Sequence, residues 1–109
     1  MRVKVYKNCA EVLRALQDRK PCRKADSVWT DGKHIYSYAT CILAQRRDGT
    51  FCLNRTRYSV TTTIHQHAIA AWGPIRARLG IVGEVDDMPR GVSPDAILQA
   101  YERSAMLVD

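Results

Sequence analysis

The sequence predicts an α+β fold: a three- to four-stranded antiparallel β-meander with an N-terminal helix, a helix packed on the sheet and a C-terminal helix. Two Asp-Gly pairs, at residues 31–32 and 48–49, lie between β-prone residues, which is the strongest short-range indication of β-hairpins. Apolar residues recur at helical spacing before and after this central region. A length of 109 residues suits a single domain spanning the whole chain.

The N-terminal residues predict a short strand followed by a helix. Val3 to Tyr6 alternates between apolar and other side chains, which favours a strand. Asn8 is a suitable N-cap for a helix over residues 9–19, where apolar side chains recur at helical spacing. Pro21 then ends this helix, because proline cannot continue it.

The central region predicts two successive hairpins. Residues 28–30 are expected to pair with residues 33–38 across the first Asp-Gly turn, and residues 41–46 with residues 50–54 across the second. Residues 22–26 are interpreted as a basic connector that leads into this sheet.

Two further helices are predicted after the sheet. One of the three threonines at residues 61–63 is expected to cap a helix that breaks or kinks at the Gly-Pro pair of residues 73–74. Residues 81–91 are predicted to form a loop. Ser93 is a strong N-cap, with proline at the first helical position, for a last helix over residues 96–106; this C-terminal helical extension spans about residues 92–107.

Several classes of protein are not favoured by this sequence. It has no run of about 18 apolar residues and no apolar signal-peptide core, so we expect no membrane association and a cytoplasmic location. The four cysteines are expected to be reduced thiols. They form no C-x-x-C pair, and His65 and His67 would lie about 200° apart on a helix, so we predict no metal and no cofactor. No catalytic motif is recognisable, so we predict that the protein is not an enzyme.

The segment NRTRYSVTTTIHQ, at residues 54–66, is an unusually polar strand-to-helix junction. Arg55 and Arg57 would share one side of the strand, and the threonines would offer hydroxyls and amides at the positive end of the helix dipole. Two interpretations remain open. The junction either grips a phosphate, or it is an ordinary cap with arginines on a solvated face.

Basic and aromatic residues interleave across the predicted meander, as they do in proteins that hold single-stranded nucleic acid. The net charge is +6, with the basic residues concentrated in residues 1–58 and an acidic balance in residues 84–109. The leading hypothesis is therefore a non-enzymatic nucleic-acid-binding protein. Its candidate contact residues are Arg46, Arg47, Arg55, Arg57, Tyr36, Tyr38, Thr61, Thr62 and His65.

The alternative hypothesis is a protein that binds and modulates another protein. Such a partner needs an exposed apolar patch rather than a basic one. The candidates for that patch are Ile97, Leu98, Tyr101, Met106 and Trp72. The oligomeric state is not predicted.

Four sequence patterns together carry a family resemblance: WTDG at residues 29–32, YSY at residues 36–38, Asn54, and YSVTTTIHQ at residues 58–66. Together they resemble a small uncharacterised domain family of phage and prophage proteins, over about residues 27–72. Thr63 is a mild departure, since the family pattern has serine there. The resemblance implies a phage-type accessory protein acting in the bacterial host cell, so the partner in the alternative hypothesis would be a host bacterial protein. It assigns no role to any residue.

Overall fold

A six-stranded mixed sheet with helices on both faces forms the fold in a computed structural model that describes residues 2–24, 27–71 and 80–107. Three helices and six strands lie within these residues. In chain order they are α1 (Arg2–Gln17), β1 (Cys22–Lys24), β2 (Val28–Thr30), β3 (Ile35–Ser37), β4 (Thr40–Gln45), β5 (Phe51–Asn54), α2 (Val60–Ala71), β6 (Ile81–Val85) and α3 (Pro94–Leu107). The predicted α+β class is confirmed.

The strands lie in sequence order across the sheet, and the first five are antiparallel. β6 pairs parallel to β5, so the sheet is mixed and has more strands than the predicted three or four. The predicted connector at residues 22–26 contributes β1, and the predicted loop at residues 81–91 contributes β6. Both predictions were wrong for one physical reason: these short strands form by pairing with a distant neighbour, and their own apolar pattern is weak.

Both predicted hairpins are confirmed. Leu43 pairs with Leu53 across the second hairpin, and Val28 pairs with Ser37 across the first. In the first turn, the Asp31 carboxylate accepts hydrogen bonds from the Lys33 and His34 amides at 2.9 and 2.8 Å. Gly32 and Gly49 have φ of +95° and +89°, which glycine adopts without steric cost.

The N-terminal prediction was wrong in one respect, because α1 begins at Arg2 instead of following a strand. Val3 to Tyr6 is helical, and Asn8 lies inside the helix instead of capping it. Extending an existing helix adds one hydrogen bond for each residue fixed, whereas an isolated strand needs a partner. The helix ends at Gln17, before Pro21, as predicted.

Two apolar clusters fill the space on either side of the sheet. One face packs against α1 and α2 through a cluster that includes Leu13, Phe51 and Ile69, each at most 2% exposed. The other face packs against α3 through Cys52 and Ile97. β5 is therefore buried on both faces, which is why its sequence lacks a polar alternation.

Gly83 on β6 provides a test of the packing between the sheet and α3. A Cβ atom at this position would overlap the Tyr101 ring, so Gly83→Ala is expected to lower the free energy of unfolding by about 1–3 kcal/mol. The measurement is a urea or guanidinium titration. Because Tyr101→Ala removes the ring, the two substitutions together should cost less than their sum. An unchanged midpoint for Gly83→Ala would contradict this packing.

Candidate functional site

A cleft of about 560 Å³ lies where β5 turns into α2, beside the connection between β3 and β4. We call it the junction cleft. Its lining residues are Ser37, Tyr38, Thr40, Tyr58, Ser59, Val60, Thr61, Thr62 and Arg90. Three of the predicted contact residues, Tyr38, Thr61 and Thr62, therefore meet in one cleft.

Asn54 fixes the corner at the end of β5. Its side chain is fully buried, and Nδ2 donates to the Cys41 carbonyl at 3.1 Å and to Tyr58 Oη at 3.0 Å. Oδ1 accepts a hydrogen bond from the Thr56 amide at 3.0 Å. The chain leaves the sheet at this point because the asparagine side chain supplies the hydrogen bonds that another strand would supply.

Gln66 fastens α2 to the same corner. Its Nε2 donates to the Asn54 carbonyl at 2.7 Å and to the Thr56 carbonyl at 2.9 Å. The side chain is only 3% exposed, so these bonds replace water that it has lost. The position of α2 relative to β5 is thereby set.

Tyr58 and Thr56 attach the loop between β6 and α3 to this corner. Tyr58 Oη donates to the Met88 carbonyl at 2.8 Å, and the Met88 amide donates to Thr56 Oγ1 at 2.9 Å. The Arg90 guanidinium reaches the Tyr58 carbonyl at 3.5 Å. These bonds bring Arg90 to the cleft from a segment of acidic balance, in which no binding residue was predicted from the sequence.

Ser59, and not one of the predicted threonines, caps α2. Its Oγ accepts a hydrogen bond from the Thr62 amide at 3.2 Å, and its carbonyl accepts from the Thr63 amide at 2.9 Å. Ser59 immediately precedes the helix, which begins one residue later at Val60. The predicted break at residues 73–74 lies outside the described residues.

A chain of polar side chains runs inward from the cleft to His65. Ser59 Oγ donates to Thr62 Oγ1 at 3.1 Å, and Ser37 Oγ lies 2.8 Å from Thr62 Oγ1 and 2.9 Å from His65 Nδ1. His65 is 0% exposed, and its Nε2 has no hydrogen-bond partner among the described residues. Burial lowers the pKa of His65 to about 4, so the imidazole is neutral at pH 7.

His65 and Thr62 therefore do not match the predicted role of surface contacts. His65 is fully buried and Thr62 is 3% exposed, so neither offers a free surface to a large ligand. Their hydrogen bonds instead hold α2 against β3. Thr61 is half-buried and remains available at the cleft.

Tyr38 stands at the edge of the junction cleft in an uncommon backbone conformation. It has φ of +55°, which costs a bulky L-residue on the order of 1 kcal/mol, and it is 51% exposed. Its amide donates to the Ser27 carbonyl at 2.8 Å, and its carbonyl accepts from Trp29 Nε1 at 2.7 Å. Two hydrogen bonds thus hold this residue in a strained conformation that leaves half of its surface in solvent.

Tyr36 does not share a sheet face with Tyr38, because β3 ends between them at Ser37. The Tyr36 ring is half-buried and stacks on Trp29, with 4.0 Å between ring centroids and 11° between planes. Its hydroxyl donates to the Asp31 carboxylate at 3.2 Å. The two tyrosines therefore do not form a pair on one face of the sheet.

Arg46 and Arg47 lie at the opposite end of β4 from the junction cleft, about 20 Å away along the strand. Arg46 pairs with Asp48 at 3.2 Å, and its guanidinium carbon lies 5.2 Å from the centre of the Tyr101 ring. Both arginines line a second cavity of about 530 Å³, whose other lining residues include the carboxylates of Asp95 and Glu102. These two arginines therefore do not converge with Tyr38.

Arg55 and Arg57 follow β5 and are exposed. Arg55 approaches Glu84 at 3.8 Å, a weak pair at the surface. Arg57 forms no hydrogen bond or ion pair with any residue in the described part of the chain. Of the predicted cations, these two are the nearest in sequence to the junction cleft.

The apolar patch of the alternative hypothesis packs inward. Ile97 is 0% exposed, and Leu98 and Tyr101 are half-buried against the sheet. Trp72 and the Met106 side chain lie outside the described residues. The described part of the last helix therefore offers little apolar surface to a partner.

The cysteines and histidines form no metal site within the described ranges. All four cysteines are free thiols, and no group of three or more metal-binding side chains occurs there. Burial raises the pKa of Cys9 to about 12 and that of Cys52 to about 11. None of the described helices has the length and apolar character that a membrane span requires.

Because the His65 imidazole is buried, we expect the folded protein to be less stable in acid. The pKa of His65 is lowered from 6.5 to about 4 by burial, so the unfolded chain binds a proton between these pH values that the folded chain does not. The free energy of unfolding should therefore fall as the pH drops from about 6.5 to about 4, by up to about 3 kcal/mol. Burial also lowers the pKa of His34, which acts in the same direction.

This pH dependence can be measured by denaturant titrations at pH 7 and pH 4.5 on wild type and His65→Gln. The variant is less stable at pH 7, and its stability should depend less on pH. His67→Gln, at an exposed position of the same helix, is the matched control for loss of an imidazole. An equal pH dependence in wild type and His65→Gln would contradict the assignment.

Comparison of the chain with protein-family models finds no match, and comparisons with curated proteins and with solved structures find none either. The resemblance of residues 27–72 to the phage domain family therefore stays a prediction from the motif.

Proposed function

We propose that the protein is a non-enzymatic, phage-type accessory protein that binds single-stranded nucleic acid at the junction cleft. In this proposal a base stacks on Tyr38, and the adjoining phosphate lies between the N-terminus of α2 and Arg90. The observation that carries the proposal is the Tyr38 ring, which is half-exposed at the cleft while its backbone is held at φ +55°.

The conformation of Tyr38 supports a binding role. A bulky residue in the left-handed region is uncommon, and such residues cluster at functional sites, where the surrounding structure holds them in place. The ring makes no hydrogen bond within the described part of the chain. A flat, exposed ring beside hydroxyl and cationic groups is the arrangement on which an unpaired base stacks.

The first turn of α2 supports a phosphate position. Ser59 accepts hydrogen bonds from the Thr62 and Thr63 amides, which leaves the Val60 and Thr61 amides for a ligand or water. α2 has 12 residues, so its dipole favours an anion at this end. Arg90, which also lines the cleft, adds a full positive charge.

The charge of the whole chain agrees with an anionic polymer as the partner. The net charge is +6, and exposed Arg55 and Arg57 precede the cleft in the sequence. A host protein as the partner has less support, since Ile97 is fully buried and its apolar neighbours on α3 pack against the sheet. The resemblance to a phage domain family supports an activity in an infected bacterium.

Tyr38→Asn separates the binding role of the ring from its contribution to stability. Asparagine tolerates a positive φ, so the variant should be as stable as wild type or slightly more stable. Loss of one stacked base should weaken binding by about 5- to 150-fold. Fluorescence anisotropy with a labelled oligothymidylate measures the affinity, and thermal unfolding measures the stability.

Tyr38→Phe is the matched control, because it keeps the ring and the strained backbone. Its affinity should remain close to that of wild type. Wild-type affinity in Tyr38→Asn would remove Tyr38 from the site. If the wild-type chain itself bound no oligonucleotide at low salt, the proposal would fail, and nuclease-resistant capture of a host protein would favour the alternative.

The dependence of binding on salt concentration tests whether the arginines contact phosphates of the ligand. Each phosphate contact to a single strand contributes about 0.7 to the slope of log K against log salt. Arg90→Ala should flatten that slope by about this amount, and Arg55→Ala combined with Arg57→Ala should flatten it further. Arg47→Ala, at the far end of β4, is the control and should leave the slope unchanged. A flattening by Arg47→Ala alone would move the site to the second cavity.

A further inference from the structure

A row of three side chains lies on the sheet face that packs against α3, over the strands β1 to β3 that α3 leaves largely uncovered. α3 packs mainly on β4, β5 and β6, whereas Arg23, Trp29 and Tyr36 occupy opposed positions on β1, β2 and β3. The Arg23 guanidinium carbon lies 4.7 Å from the centre of the Trp29 indole, and Tyr36 stacks on the other face of that indole at 4.0 Å. We call these three residues the aromatic ladder.

The aromatic ladder adjoins the junction cleft through Tyr38. Trp29 Nε1 donates to the Tyr38 carbonyl at 2.7 Å, and the Tyr38 amide donates to the Ser27 carbonyl that precedes β2. The indole is therefore a direct neighbour of the strained residue. A chain molecule bound at Tyr38 would therefore have Trp29 as an adjacent aromatic side chain.

A shallow cavity of about 420 Å³ makes the Trp29 position accessible. Arg23, Trp29 and Asp31 are among its lining residues. Arg23 is exposed and covers the outer face of the indole, while Tyr36 covers the inner face. A base can replace the guanidinium on the outer face, and the displaced guanidinium can then pair with a phosphate.

The charge around this cavity favours an anionic chain. Three exposed cations lie close to it: Arg19, Lys20 and Lys33. They do so because the Asp31-Gly32 turn packs against the end of α1. A Cβ atom at Gly32 would lie 3.0 Å from the Arg19 carbonyl oxygen. The Asp31 carboxylate, the acidic group that lines the cavity, already accepts hydrogen bonds from two backbone amides and from the Tyr36 hydroxyl.

We propose that the aromatic ladder is a second stacking position, so that the ligand is a single-stranded oligonucleotide running from the junction cleft over Tyr38 onto Trp29. This inference rests on the proposed function. It defines the ligand more closely than the proposed function does, because a mononucleotide would occupy only the junction cleft. In a duplex the base faces are covered by the neighbouring base pairs, so they cannot stack on Trp29.

A series of ligands of increasing length tests the proposal. Thymidine monophosphate, a dinucleotide, a tetranucleotide and an octanucleotide are titrated against the full chain, followed by competition with the labelled oligothymidylate. The affinity should rise about tenfold or more between the mononucleotide and the tetranucleotide, because a second base becomes stacked. In Trp72→Phe, which leaves Trp29 as the remaining tryptophan, the tetranucleotide should quench the fluorescence and the mononucleotide should not.

Arg23→Glu provides an independent test that leaves both tryptophans in place. A carboxylate beside the indole should weaken tetranucleotide binding about tenfold or more and leave mononucleotide affinity unchanged. Arg14→Glu makes the same charge reversal at an exposed position of α1, which packs on the other face of the sheet, and it is the matched control. Thermal unfolding confirms that each variant is folded.

The possible outcomes separate this inference from the proposed function. If mononucleotide and tetranucleotide bind equally and Arg23→Glu changes neither, the ladder is not part of the site and the junction cleft stands alone. Equal affinity for a duplex of the same sequence would also overturn the second stacking position. If none of these ligands binds at low salt, the proposed function fails together with the inference.

Discussion

The buried side chain of Asn54 holds the structure together at one point. Its amide bonds to β4 and to Tyr58, its carbonyl oxygen accepts from Thr56, and its backbone carbonyl receives Gln66 from α2. A buried amide that lost these partners would cost on the order of 1–3 kcal/mol for each unpaired group. The corner is therefore defined by polar geometry, and the strand, the helix and the loop before α3 take their relative positions from it.

Interactions within a few residues were sufficient to predict part of the fold. The Asp-Gly turns, the stop before Pro21 and the Ser-Pro start of α3 all act within a few residues, so the sequence predicted them. β6 could not be found in this way, because it exists by pairing with β5 across the whole of α2. The same holds for β1, whose three residues become a strand by pairing with β2.

The sequence predicted several residues that lie near the site, but it did not predict which way their side chains point. The junction at residues 54–66 is polar in sequence and forms a cleft in the structure, yet Thr62, His65 and Gln66 point inward. Hydroxyl and imidazole groups serve equally well as ligands and as buried hydrogen-bond partners, and the residue type does not distinguish the two. The positive φ of Tyr38 also has no local signature, since tertiary hydrogen bonds from its neighbours impose it.

The residues that build the corner and the cations proposed to bind the ligand lie in different parts of the chain. Six residues of the motif form most of their hydrogen bonds with one another and with the backbone. They are Asn54, Tyr58, Ser59, Thr62, His65 and Gln66. Arg90 and Arg23, the cations nearest the proposed stacking positions, lie outside residues 27–72. These residues therefore mainly build the corner. We expect the choice of ligand to depend on the cations around that corner, since sites are built on folds and are not dictated by them.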